Sequence, residues 1–309
     1  MADTPIGAAR PSAALGDRAA ILATVLLWGM QVPALHALGA RWDPFTLNLL
    51  RYLLAAAAFA ILFRIGARRP PTRLALRRAA MLGGLMAGFG ILFTTAAMVG
   101  DPVAIATTGA LMPLTASLVN WALIGGRPRR RLVAALALVI PGAALATPAS
   151  GESGGHPLFG MALMMGAQVS WAVYSLCAER WTPNWSPAAR TAVSVNLSLP
   201  WHLAAFAAAV AAGAAVTAPW PTPASDATLI VGVTLGPLVV GVVFWNLSVA
   251  RLGLPFAALH LNLVPVVAIG LAAMAGAAPT GMQMLGAALV ISAMAVAGAP
   301  RGLRKGQAS

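Results

Sequence analysis

Apolar positions in this chain come in long uninterrupted blocks, and polar positions gather between them. Ten blocks stand out, at roughly 19–40, 44–63, 79–99, 102–124, 131–148, 157–178, 188–213, 227–249, 254–274 and 280–299. They lack the polar position once per turn that an amphipathic soluble helix shows. Most are close to the roughly 20 residues that carry a helix across about 30 Å of hydrocarbon. Between them lie short Gly-, Pro- and Arg-rich stretches: "GARRPPTR", "GGRPRRR", "PASGESGGHP", "ERWTPNWSP" and "APWPTPASD". The pattern predicts an all-α polytopic membrane protein with ten transmembrane helices. No connection is long enough to hold a soluble domain, so the function is expected within the membrane.

Composition agrees. The 309 residues are 60% hydrophobic and 9% charged, against about 25% charged in a soluble domain. Mean hydropathy is +0.83. The first apolar run is longer than a signal-peptide core and is read as a retained first helix behind a polar tail, 1–18. A single cysteine, Cys177, excludes an intrachain disulfide.

The net charge of +13 changes meaning once the charges are placed. Of 20 Lys and Arg, 18 fall in the tails and even-numbered loops: Arg10, Arg18, the six arginines from Arg64 to Arg78, Arg127, Arg129, Arg130, Arg131, Arg180, Arg190, Arg251, Arg301, Arg304 and Lys305. The exceptions are Arg41, in the first loop, and Arg51, inside the second block. Basic loops stay on the cytoplasmic side. The distribution predicts a multi-pass protein of the cell (inner) membrane with both termini cytoplasmic, including a basic tail at 300–309. Anionic lipid headgroups are the expected partners of the basic loops, and nucleic acid is not.

The two halves also echo each other. "AIATTGALMPLTA" at 104–116 matches "FAALHLNLVPVVA" at 256–268, aligning Pro113 with Pro265. "GGRP" at 125–128 and "GAAP" at 276–279 follow, and Trp28 and Trp171 mark the first and sixth blocks. Five spans per half is an odd number, so the halves insert with opposite orientation. A 5+5 inverted repeat is a carrier architecture with its site near the midplane.

Three stretches resemble the EamA-type carriers of the drug/metabolite transporter superfamily: "DPFTLNLLRYLLAAAAF", "ALMPLTASLVNWALIGG" and the segment from "VFWNLSVARLGLPF" to "GMQMLGAALVI". The resemblance implies two EamA-like five-helix repeats, at 19–148 and 157–299, and export of amino acids or related small metabolites. Carriers of phosphorylated or nucleotide-linked sugars belong to the same superfamily and are a second reading; a membrane scaffold or enzyme is a third. The chain departs from the family where a Gly-Glu pair often follows the fourth and ninth spans. Gly126 and about Ala278 stand there.

Enzyme signatures do not hold. "GESGG" at 151–155 matches G-x-S-x-G but lies in a Gly/Ser loop, not at a strand-to-helix turn. No metal-binding, cofactor or phosphate-loop spacing is present, and no catalytic residue is assigned. Candidate substrate contacts come from polar and aromatic residues inside the blocks: Trp28 and Gln31 on one face of span 1; Trp171 and Ser175, with Gln168, on a face of span 6, and Tyr174 beside them; Thr108 and Thr115 in span 4; His260 and Asn262 in span 9. Pro113 and Pro265 are candidate hinges. Gly84 and Gly88 have the spacing of a close helix contact, and Trp42, Trp181 and Trp220 suit an interfacial belt. All seven acids fall in loops or at span ends, which points to a facilitator or exchanger, not a carboxylate-based proton relay. Arg51 has three readings: snorkelling to the headgroups, bonding carbonyls within the bundle, or anchoring a substrate carboxylate.

Overall fold

The computed structural model describes residues 15–64, 74–125, 157–214, 218–252, 260–274 and 279–298, with isolated positions at 137–138, 141–142, 145 and 276. Most of the fifth predicted span, 131–148, and "GESGG" lie outside the described residues, as do the C-terminal tail and residues 1–14; residues 15–18 of the expected N-terminal tail are already helical.

The described chain is all helical, with no strand. The long helices are α1 (Leu15–Leu38), α2 (Pro44–Arg64), α3 (Leu76–Val99), α6 (Pro157–Trp181) and α7 (Pro187–Ala211). Each overlies a predicted block. The fourth block is instead two helices, α4 (Pro102–Gly109) and α5 (Met112–Ile124). The eighth is α8 (Ala224–Val233), a π-helical stretch Thr234–Gly241, and α9 (Val242–Leu252). The described part of the ninth is a 3-10 turn, Leu261–Leu263, running into α10 (Val264–Met274); α11 (Gly281–Gly298) ends the described chain. Among the described residues, six segments are long and apolar enough to cross a membrane, the sixth being Ala224–Ser248 with its π stretch included.

Sequence chemistry explains the boundaries. The Asp43 carboxylate accepts from the N–H groups of Phe45 and Thr46, both at 2.9 Å, at the start of α2. Asp101 accepts from Ala104 N–H at 2.9 Å ahead of α4, and Ser186 caps α7 through Ala189 N–H at 3.2 Å. Thr280 and Gln283 bond reciprocally at the head of α11, at 2.9 and 3.2 Å. Such caps satisfy amides that a helix leaves open at its N-terminus.

Packing interleaves the two ends of the chain. α3 lies against α6 and α7, α2 against α7, and α1 against α9 and α10. The α3–α7 crossing is so close that a Cβ on Gly83 would stand 2.1 Å from the Leu197 carbonyl oxygen. The tight position is therefore Gly83. At Gly84 and Gly88, which the spacing singled out, an added Cβ would stand 3.4 Å from the Trp201 ring and 3.1 Å from Ser170 Oγ. Ser170 Oγ–H also donates to the Leu85 carbonyl at 2.8 Å, a second tie between α6 and α3.

One ion pair joins the α1–α2 loop to the start of α8. Arg41 Nε–H donates to Asp226 Oδ2 at 2.9 Å, Arg41 Nη2 bonds Oδ1, and Trp42 Nε1–H donates to Oδ2 at 3.0 Å. The Asp226 hydrogen bond and charge hold the Arg41 guanidinium above its ordinary pKa. Asp226 is fully buried in the first turn of α8, where the helix dipole favours an anion. Trp42 is buried with its N–H committed, so it is not a belt residue. Trp220, 93% exposed, keeps the character expected of one.

The Gly83 contact makes a falsifiable statement. Alanine in a helix is intrinsically better than glycine by about 1 kcal/mol, yet Gly83→Ala should lower stability by about 1–3 kcal/mol through overpacking. Gly84→Ala, against a ring at ordinary contact distance, should be neutral or slightly stabilising. Thermal unfolding of both variants in detergent distinguishes them; equal melting temperatures would refute the close crossing.

Candidate functional site

A cavity of about 110 Å³ lies among α1, α2, α3, α4, α6, the π stretch and α10. One water needs roughly 10–15 Å³ on this measure, so the space suits several waters or a small organic molecule. Its walls are mostly apolar: Phe89 and Phe93 from α3, Met112 and Met164, Trp28 and Trp171, with Tyr52 beside them. Polar character comes from Gln31, Arg51, Thr94 and Gln168. Arg51 is the one charged side chain among the described lining residues.

The aromatic cluster is assembled from four helices, α1, α3, α6 and α9. Trp28 meets Trp171 edge-on, centroids 6.1 Å apart at 87°. Trp171 also contacts Phe89 at 4.8 Å and Tyr174 at 5.1 Å, and Trp28 contacts Trp245 at 5.6 Å. The two tryptophans that mark the first and sixth blocks therefore touch, although 143 positions separate residues 28 and 171.

The polar wall follows from a broken helix. In an α-helix the Val233 carbonyl would accept from the N–H of residue 237, and that residue is Pro237, which has none. The chain passes through the break as a π stretch, a form that concentrates at functional sites. Side chains from the chain's first two helices bond carbonyls along it. Arg51 Nη2–H donates to Val233 O at 3.3 Å and Trp28 Nε1–H to Pro237 O at 3.2 Å, while the Thr24 hydroxyl, whose shorter bond is to Ala20 O at 3.0 Å, shares its proton with Gly241 O at 3.4 Å. The three acceptors are spaced four residues apart.

Arg51 is 2% exposed, so it does not snorkel to the headgroups. Its firm bond is Nη1–H to Thr94 Oγ1, at 2.9 Å; Nη1 to Asn48 Oδ1 is stretched to 3.5 Å. Thr94 Oγ1–H in turn donates to Asn48 Oδ1 at 3.0 Å. Arg51 Nε and Asn48 Nδ2 have no partner among the described residues. There, all the partners of the cation are neutral. Behind it, the Tyr52 ring lies 4.0 Å from that of His202, whose two nitrogens are buried and unbonded.

On the opposite wall, Gln168 bridges the α4–α5 break. Its Nε2–H donates to Thr108 O at 2.6 Å, and its Oε1 accepts from Thr115 Oγ1–H at 3.0 Å.

The structure sorts the candidates. Trp28, Gln31, Arg51 and Trp171 line the cavity together. Thr108 and Thr115 act one step back, through Gln168; Thr108 Oγ1–H is turned to Ala104 O. Tyr174 donates to Ser194 Oγ at 2.9 Å and Ser175 to Trp171 O at 2.8 Å, both away from the cavity lining. His260 is half-buried beside Leu261, which does line the cavity. The side chains of Asn262, Pro113 and Pro265 lie outside the described residues. Their backbones place Pro113 in the first turn of α5 and Pro265 in the first turn of α10, at helix starts, not in mid-helix. The spacing argument missed Tyr52, Thr94, Phe89 and Phe93. Thr94 and Tyr52 were findable: each is a polar group inside an apolar block.

This is a helical membrane protein with an internal, mostly apolar cavity and one buried cation at its edge. Residues 18–147 match the model of the EamA-like transporter family, a family of transporters and not of enzymes. One solved structure, described as "Crystal structure of protein", shares the fold at a TM-score of 0.64 and 21% identity, over 92% of this chain and 97% of that one. No curated protein matches.

Thr94→Val removes the short bond that holds the Arg51 guanidinium. The variant should unfold more readily by about 1.5–3 kcal/mol, the range for a hydrogen bond to a charged group. Ser175→Ala, whose hydroxyl bonds its own helix, should change stability by less than about 1 kcal/mol. Thermal or denaturant unfolding in detergent measures both, and an unaffected Thr94→Val would remove this bond from the account.

Proposed function

We propose that the chain is a membrane carrier of small organic metabolites, amino acids among them, working outward by alternating access. The observation that carries the reading is the mid-bundle cavity. It is formed jointly by helices from both ends of the chain and is lined by aromatic rings with a few oriented polar groups, which is the usual make-up of a small-molecule site. Two inverted five-helix halves, 19–148 and 157–299, would exchange conformations around it. The second half is EamA-like on the repeat and the resemblance. The loop charges support cytoplasmic termini in the cell membrane, with anionic headgroups against the basic loops.

The sugar-phosphate reading fits less well, because such a cargo wants several cations and the described lining supplies Arg51. Interior carboxylates are absent from the sequence blocks, so flux is expected to follow the substrate gradient. Purified protein in liposomes, challenged with a panel of amino acids and related metabolites, should take up or exchange at least one saturably. Ala106→Leu, which adds bulk to the lining, should cut that flux several-fold with little loss of fold. Steep dependence on an imposed pH gradient would overturn the uncoupled mechanism, and silence across the panel would overturn the carrier reading.

A further inference from the structure

We infer that the cavity recognises the carboxylate of its cargo at Arg51, and that docking of this carboxylate competes with the Val233 carbonyl and so loosens the broken helix. The inference rests on the carrier reading and names the group that such a carrier would grip.

Four observations converge on it. Arg51 is buried, lines the cavity and has only neutral partners. A buried cation without an anion is costly, and a ligand carboxylate would neutralise it. Its bonding is also incomplete. Thr94 holds one nitrogen well, while the Nε–Nη2 edge carries one long bond, at 3.3 Å to Val233 O, and one unpartnered N–H. That edge has the fork geometry that a carboxylate fills with two parallel charge-assisted bonds.

The third observation is the composition of the rest of the cavity. Its described lining contains no Asp, Glu, Lys or further Arg. Recognition of charge is therefore concentrated at one point, and the aromatic wall takes an apolar body. Nothing in that lining offers a carboxylate to an ammonium, so an amino acid would be held by its carboxylate, its ammonium resting on ring faces or neutral acceptors.

The fourth is what Arg51 now bonds. Val233 O is the carbonyl at which Pro237 turns the α-helix into the π stretch, by withholding the i+4 donor and leaving the N–H of residue 238 next in line. Arg51 Nε is covered in the present arrangement, so a carboxylate takes the Nε–Nη2 edge only as the carbonyl gives it up. Cargo binding and release of the 233–241 stretch are then one exchange of partners at one guanidinium. A ligand shifts an equilibrium by its differential contact with the two states, and here that contact is a single bond pair.

The test uses the full chain in detergent and three probes with the same ring and different charge: phenylacetate, the neutral phenylacetamide and the cation phenethylamine. Binding is read by calorimetry and by quenching of tryptophan fluorescence. Phenylacetate should bind about ten- to a hundredfold more tightly than the amide, the scale of charged hydrogen bonds, and the amine should be weakest. Arg51→Gln should erase the difference between acid and amide. Amide hydrogen exchange within 234–242 should speed up with phenylacetate and stay unchanged with phenylacetamide. Equal binding of acid and amide by the wild type, no saturable phenylacetate binding, or a preference that survives in Arg51→Gln overturns the carboxylate site. The wild-type comparison decides even if the variant fails to fold. Unchanged exchange with phenylacetate bound overturns the coupling to the broken helix. Flux in liposomes with no preference for carboxylates would sink this inference and leave the carrier reading. Carboxylate binding without flux of any panel compound would do the reverse.

Discussion

Inside a bilayer a backbone carbonyl that loses its helical partner finds no water to replace it. Pro237 withholds the α-helical donor of the Val233 carbonyl, in the middle of a segment otherwise long and apolar enough to span, and the chain continues as a π stretch, whose donors lie one residue further on. The surrounding structure is arranged around that stretch. Thr24, Trp28 and Arg51 reach it from α1 and α2. To do so, α1 and α2 must lie against the π stretch, and they do. Trp28, drawn in by its N–H, brings its ring against Trp171 and Trp245. Arg51, drawn in by its guanidinium, brings Asn48 and Thr94 with it. The cavity opens where these side chains converge.

The fold was legible because its signal is coarse. A run of about 20 apolar residues names a span without regard to neighbours, and the long helices fall where such runs fall. The breaks were not legible in the same way. The fourth and eighth blocks are as apolar as the rest, and what divides them is one turn of backbone geometry. Pro113 was visible, but spacing placed it in mid-helix, where a proline disrupts; the structure starts α5 there, where a proline is harmless. Pro237 carried the larger consequence and went unremarked, because its effect lies in who bonds the carbonyl four residues back.

The site was legible in part for a related reason. Trp28, Gln31, Arg51 and Trp171 are chemically conspicuous in an apolar background, and all four line the cavity. Tyr174 and Ser175 are as conspicuous, yet their hydroxyls are consumed by Ser194 and by the helix's own carbonyl. Period alone cannot distinguish a polar group facing a cavity from one facing a neighbour, since both look inward. Trp42 shows the same ambiguity at the membrane edge, where a buried aspartate claims its N–H. Glycine spacing failed by one residue at Gly83 because the α3–α7 approach is set by the Leu197 carbonyl, a backbone atom that no side-chain pattern encodes.

Gln168 gives the α4–α5 break a character of its own. Two separate helical pieces joined by a pair of turn residues would ordinarily swivel about the joint. Here one amide group grips both pieces, taking the last turn of α4 by the Thr108 carbonyl and the first turn of α5 by the Thr115 hydroxyl. The joint is thereby triangulated, as a strut stiffens the corner of a frame. Displacement of α6 would carry both pieces with it as one bent lever, and the freedom that the break introduced along the chain is withdrawn again across it.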